Sequence, residues 1–279
     1  MRLRRMAQAC ALAYSILTAG VLLYGAGQTP AAAPPDQAAA AAAAQCSKTW
    51  IGHTAEAEEF LRTAEIDRIE EVPIGVTKPM RAYFKPGGIV PSAAWKPLPP
   101  GIHRGFWDSY KAEIVAYELD KMFGMNMVPP AVEREVKGDK GAMVWWVQDA
   151  KGWKISDPVA GPDTYAWTKQ ISRMKLFDDF IGNTDRNQGN LLYDPDFHLI
   201  LIDHSRAFTN TKDLPVKFSR VDRQLWEQMK TVTYEQLEPV LSKWIGKGEI
   251  KAIIARRDKM QVEIDKLVKA TSEPAVFMR

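Results

Sequence analysis

Residues 181–209 read IGNTDRNQGNLLYDPDFHLILIDHSRAFT, and they hold the densest chemistry in the chain. Asp185 is followed five residues later by Asn190. A strand-like run from Phe197 to Ile202 then delivers Asp203 at its end. The apolar runs flanking Asp194-Pro195-Asp196 predict a β-hairpin that turns there. Such a hairpin brings the Asp185–Asn190 loop and Asp203 to the same end, so three oxygen-bearing side chains converge on one point. Oxygen ligands with no clustered His or Cys suit Mg²⁺ or Mn²⁺. Asp194 and Asp196 are read as turn residues, because Asp bonds its own backbone in turns.

A divalent ion at a carboxylate and an amide is how phosphoryl-transfer sites hold nucleotide phosphates. A separate carboxylate aimed at an incoming hydroxyl can act as the base. Asp-x4-Asn, followed by Asp beyond a short hairpin, matches the catalytic loop and metal-binding Asp of protein kinases. That chemistry requires a lysine on the third strand of an upstream sheet and a glutamate on the following helix. Lys96 ends the run SAAWK, and Glu113 follows 17 residues later in the first turn of a predicted helix. Lys85 is the rival lysine, but it abuts a Pro-Gly-Gly turn; Glu118 is the rival glutamate. By helical phase Glu113 lies with Ala116, Tyr117 and Asp120, off the apolar face of Ala112, Val115, Leu119, Met122 and Phe123. Its use therefore requires a helix that touches both halves of the protein.

Upstream, a helix is expected over residues 55–64 with Thr54 as its cap, then three extended runs between residues 69 and 96. Lys85-Pro86-Gly87-Gly88 marks a hairpin between the second and third. The helix over 109–123 has Asp108 or Ser109 as cap and Gly124 as stop. VPPAVEREV and AMVWWV then form two more strands across KGDKG. Of Trp145 and Trp146, alternation puts one in the core and leaves one to flank a nucleotide. A Gly/Pro/Asp-rich loop runs to Asp163, a helix spans 165–180, and residues 220–269 read as helical, with Thr233 as a cap and Gly246 and Gly248 as a break. Arg256 and Arg257 read as a solvated face, and His53, His103, His198 and His204 share no spacing. Arg186 is placed to brace the loop beside Asp185. The expected fold is α+β in two lobes: a small mixed β-lobe with one inserted helix over residues 50–149, and a mainly helical lobe over 150–279.

The chain has 279 residues, 46% hydrophobic and 25% charged, which is the composition of a folded protein. Its two cysteines, Cys10 and Cys46, exclude a disulfide framework and a cysteine-rich zinc site. The net charge of +3 is accounted for by Arg2, Arg4 and Arg5; the remainder is balanced, so nothing in bulk charge argues for nucleic acid. Residues 1–28 combine a basic start with an uncharged, mostly apolar stretch from Ala9 to Gly27. They read as an export signal peptide, with an uncleaved membrane anchor as the alternative. Residues 29–49 are an Ala/Pro-rich linker. The catalytic part is thus expected to be exported (periplasmic, secreted or in a secretory lumen) or tethered to a membrane through its N-terminus.

AAWKPLPPG, YKAEIVAYELDKMFGMNMVPPAVER, NTDRNQGNLL and LIDHSRAF together resemble the secretory-pathway kinases, the Golgi casein-kinase and xylosyl-kinase group, and their bacterial relatives. They are more distantly similar to phosphatidylinositol 3-/4-kinases and HipA-like kinases. The resemblance covers roughly residues 50–260 and implies a bilobal protein-kinase-like fold with an ATP site between the lobes. It implies Lys96 and Glu113 as the nucleotide-gripping pair, Asp185 as the catalytic carboxylate, and Asn190 and Asp203 as ligands of Mg²⁺ or Mn²⁺. The chain departs from these kinases in four ways. It lacks their disulfides, it has Asn190 where the secretory kinases commonly have Glu, and no Ala-Pro-Glu segment follows Asp203. In place of a Gly-x-Gly-x-x-Gly loop stands Gly75-Val76-Thr77-Lys78-Pro79, where Lys78 could cover phosphates.

The function expected is transfer of the γ-phosphate of ATP to a hydroxyl acceptor: protein Ser/Thr, a glycan or a lipid headgroup. The alternatives are a nucleotide-binding pseudokinase and a metal-binding envelope interaction module without catalysis.

Overall fold

The computed structural model describes residues 50–72 and 80–279, all within one compact unit. Residues 1–49, expected to be an export signal or anchor and a linker, and Lys78 with its glycine loop lie outside the described residues. Helix α1 (Thr54–Thr63) precedes strands β1 (Ile66–Glu71), β2 (Met80–Phe84) and β3 (Ser92–Lys96). A small hairpin, β4 (Gly101–His103) and β5 (Phe106–Asp108), leads into helix α2 (Tyr110–Phe123). Strands β6 (Ala131–Val136) and β7 (Asp139–Trp145) complete an antiparallel sheet in the order β1-β2-β3-β7-β6.

Alternation along the strands divides this sheet between two cores. Ala82, Phe84, Ala93, Trp95, Met143 and Trp145 face α1 and bury Ala57 and Leu61 beneath it. Ala131, Ala142 and Val144 face the other way, into the core that α2 shares with the helical lobe. Lys96 pairs in register with Ala142 at the end of β3. A Cβ on Gly141 would lie 2.5 Å from the Lys96 carbonyl oxygen, so only glycine lets the strand ends approach this closely.

The helical lobe is built on α3 (Thr164–Ile181), capped by Asp163 and ended by Gly182 in the left-handed region. The lobe's small sheet joins β8 (Lys151–Gly152) to the hairpin of β9 (Leu191–Tyr193) and β10 (Leu199–Leu201). Helices α4 (Arg223–Met229), α5 (Tyr234–Leu241) and α6 (Lys247–Ala270) follow, and after a short helix, Glu273–Val276, the chain ends in Phe277–Met278 paired with Val221–Asp222. Among the described residues no helix is long and apolar enough to cross a membrane.

Several expectations need correction. Thr54 is the first helical residue of α1, and His53 precedes it as the cap. Met122 is exposed rather than on a buried face. Gly248 lies inside α6, and only Gly246 stands at its start. The strand expected from Phe197 is shorter because Phe197 has φ +61 within the turn. The β4–β5 hairpin was unanticipated; Arg104 and Gly105 both take positive φ in its two-residue turn.

The largest correction concerns Arg256, which is fully buried. Its Nε donates to the Phe180 carbonyl at 3.0 Å, and its Nη1 donates to the carbonyls of Thr211 at 2.5 Å and Thr209 at 3.4 Å. Gly182 makes the room, since a Cβ there would meet the guanidinium carbon at 2.8 Å. Burial lowers the Arg256 pKa to about 10, against the opposing charge of Asp179. Burial also pushes Asp179 up to about 7 from its ordinary 3.8, opposed by the Val216 N–H that it accepts. A carboxyl raised in the folded state binds protons that the unfolded chain has released, so it costs stability as pH rises from about 4 to about 7. Asp179→Asn is expected to stabilise the protein by a few kcal/mol at pH 8 and by little at pH 4. Urea unfolding at the two pH values measures the difference; equal effects at both would contradict the assignment.

Candidate active site

Lys96 leaves the end of β3 and reaches two carboxylates. Its Nζ lies 2.7 Å from Glu113 Oε1 and 3.0 Å from Asp203 Oδ1. The rival residues point elsewhere: exposed Lys85 pairs with Glu65, and Glu118 pairs with Lys121. Glu113 sits in the first turn of α2, whose Ser109 cap accepts from the Lys111 N–H. Glu113, Ala116, Tyr117 and Asp120 are all buried along with the apolar face, because α2 is clasped between the two lobes. This is the condition that helical phase had set for using Glu113.

Burial alone would lower the Lys96 pKa, but the charges of Asp203 and Glu113 outweigh it and hold the ammonium above its ordinary value. Burial would raise the Glu113 pKa, and Lys96, assisted by His204, holds it below the ordinary carboxylate range instead. His204 donates its backbone N–H to Glu113 Oε1 at 3.0 Å, and its fully buried ring lies 3.6 Å from Oε2. Burial depresses the His204 pKa. Asp203 has φ +60, a conformation disfavoured for residues with a Cβ and best tolerated by Asn, Asp and Gly. The turn keeps its carboxylate beside Lys96 with 28% of the side chain still accessible.

The loop from Asp185 to Asn190 is held by Arg186. Its guanidinium forks onto Asp178, with Nε to Oδ2 and Nη2 to Oδ1 both at 2.9 Å. Its Nη1 donates to the carbonyls of Asn190 at 3.1 Å and Ile202 at 2.8 Å. One buried arginine therefore ties α3, the loop and the end of β10 together. Arg186→Met leaves Asp178 buried without its charge partner and is expected to cost roughly 3–5 kcal/mol of stability. Chemical denaturation would test this, and a loss below 1 kcal/mol would contradict it.

Asn190 is buried and donates its Nδ2 to the Asp185 carbonyl at 3.0 Å, which leaves Oδ1 as its available ligand atom. The Asn190 carbonyl accepts from the Ile202 N–H, so the loop lies against the residue before Asp203. The amide oxygen of Asn190 and the carboxylate of Asp203 are hard donors of the kind that suits Mg²⁺ or Mn²⁺. Asp185 is one-third exposed, and its Oδ2 meets Arg206 Nη1 at 3.0 Å. Asp194 is buried and accepts from the N–H groups of Asp196 and His198, which is the turn role expected of it.

Residues 56–239 match the sequence profile described as Phosphatidylinositol 3- and 4-kinase. The chain belongs to that family. No curated protein matches it in sequence. Among solved structures it is similar to hydra Fam20 with sugar, at 14% identity and a TM-score of 0.59, covering 79% of this chain and 90% of that one. It is also similar to the Golgi casein kinase with Mn/ADP bound, at 13% identity and a TM-score of 0.60, covering 82% and 79%. The kinase family and the secretory-kinase fold anticipated from the sequence blocks are therefore both present, in a bilobal kinase-like architecture.

From sequence, Arg206 has no site role, Asp108 reads only as a candidate helix cap, and His204 stands among histidines without shared spacing. Arg206 meets Asp185 across 21 residues and Asp108 across 98, and no local pattern encodes either pairing. Trp145 is buried in the core, while Trp146 is half-exposed beneath the guanidinium of Arg81 at 4.1 Å.

Proposed function

We propose that this kinase-family protein binds ATP with Mg²⁺ or Mn²⁺ and transfers the γ-phosphate to a hydroxyl on a protein, a glycan or a lipid headgroup. One observation carries the reading: Lys96 is shared between Glu113 and Asp203, joining the sheet lobe, the inserted helix and the end of the β9–β10 hairpin at a single ammonium. In kinases this pairing presents the lysine to the nucleotide's phosphates. A divalent ion held by Asn190 and Asp203 would neutralise phosphate charge. Asp185 would orient the acceptor hydroxyl and take its proton as the acceptor oxygen bonds to the γ-phosphorus and the bond to the β–γ bridging oxygen breaks, releasing ADP. The manganese and ADP held by the structurally similar Golgi casein kinase support the nucleotide half of this reading. We further propose that residues 1–28 export the kinase or tether it to a membrane.

Thermal unfolding tests the nucleotide half. ATP together with Mg²⁺ or Mn²⁺ is expected to stabilise the protein by about 2.7 kcal/mol at a hundredfold excess over Kd. Either component alone should do much less, because Mg²⁺ is rarely held by protein groups without substrate phosphates. Stabilisation by metal alone, with no response to ATP, would support a metal-binding module instead.

A further inference from the structure

We infer that Arg206 positions the Asp185 carboxylate, fixing Oδ2 and leaving Oδ1 for the acceptor hydroxyl; the inference rests on the phosphoryl-transfer reading above. Arg206 is held on three sides. Its Nη1 lies 3.0 Å from Asp185 Oδ2, its Nε lies 3.2 Å from Asp108 Oδ1, and its guanidinium carbon stands 4.2 Å over the Phe106 ring. Only a planar fork can meet two carboxylates along its edges and an aromatic ring on its face.

Asp108 is itself fixed. Ser205 Oγ donates to the same Oδ1 at 2.9 Å, and the Ser109 N–H donates to the Ser205 carbonyl at 2.9 Å. These bonds pin Asp108 at the start of α2, the helix that carries Glu113. Arg206 thus transmits the position of the glutamate helix to the catalytic loop.

The two oxygens of Asp185 are consequently unequal. Oδ2 has the short ion pair, while Oδ1 has, among the described residues, only the Asn187 amide at 3.4 Å. The main chain is also held, by the Asp185 N–H donating to Asn183 Oδ1 at 3.1 Å. A loose phosphoryl-transfer transition state depends on orientation more than on a strong base. A catalytic group displaced by about 1 Å loses on the order of 10²-fold in rate.

A double-mutant cycle in the full chain tests this, reading kcat and the KM for ATP with metal present. Arg206→Met should lower kcat by about 10²-fold and leave KM for ATP within about 2-fold. In an Asp185→Asn background the same substitution should cost almost nothing, because no base remains to be positioned. Arg206→Lys should recover the rate only in part, since one ammonium cannot bridge Asp185 and Asp108. If Arg206→Met does not fold, Asp108→Asn loosens the far end of the fork and should give the same dependence on Asp185. Equal losses in both backgrounds, a loss confined to KM, or a wild-type rate in Arg206→Lys would overturn the positioning role alone. An inactive wild type would overturn the phosphoryl-transfer reading, and the positioning role with it.

Discussion

Asp185→Asn is expected to cut phosphoryl-transfer turnover by about 10²–10⁴-fold while ATP affinity stays near wild type. The substitution keeps the shape of the side chain and removes its capacity to take a proton. Arg206 loses one partner but retains Asp108 and the Phe106 ring, so the loop keeps its anchor. Asn190 bonds the main-chain carbonyl of Asp185, which the substitution leaves in place. The metal side of the site should therefore be undisturbed, and the loss should appear in kcat rather than KM. Steady-state kinetics and nucleotide titration on the same preparation measure both. A parallel fall in affinity would make Asp185 a metal ligand or a structural residue.

Asp203→Ala is expected to abolish ATP·Mn²⁺ binding in calorimetry without unfolding the protein. Lys96 would still have Glu113 at 2.7 Å, so no buried charge is stranded. The backbone complicates the alanine variant: at φ +60 it carries about 1–2 kcal/mol of strain. Asp203→Asn avoids most of that, because Asn tolerates the left-handed region, yet it still removes the ligand charge. Both variants should fail to bind the metal nucleotide, and the asparagine variant should melt close to wild type. Wild-type-like binding in either would remove Asp203 from the metal site.

The parts of the site legible in sequence are those encoded locally. Asp185, Asn190 and Asp203 are brought together by one hairpin, and apolar runs around Asp-Pro-Asp reveal hairpins. Lys96 and Glu113 sit at a strand end and in the first turn of the next helix, which is where the kinase requirement for a strand lysine and a helix glutamate pointed, although helical phase set Glu113 off the apolar face. The parts that stayed hidden depend on distant elements. Helical phase placed Arg256 on a polar face, but carbonyls from α3 and from residues 209 and 211 form the pocket that buries it. Arg206 lies three residues beyond Asp203 in a segment with no period, and both its partners come from other elements. The β4–β5 hairpin did leave a signal, the Arg104-Gly105 turn between Ile102-His103 and Phe106-Trp107. Its strands are only three residues each.

Transfer of radiolabelled γ-phosphate from ATP by the wild-type protein tests the phosphoryl-transfer function head-on. Protein, glycan and lipid acceptors would be offered in turn, with Mg²⁺ and Mn²⁺ compared. Metal-dependent label is expected on one class of hydroxyl acceptor, lost in Asp203→Asn and reduced by about 10²–10⁴-fold in Asp185→Asn. Nucleotide binding without label on any acceptor would contradict that function and leave a pseudokinase.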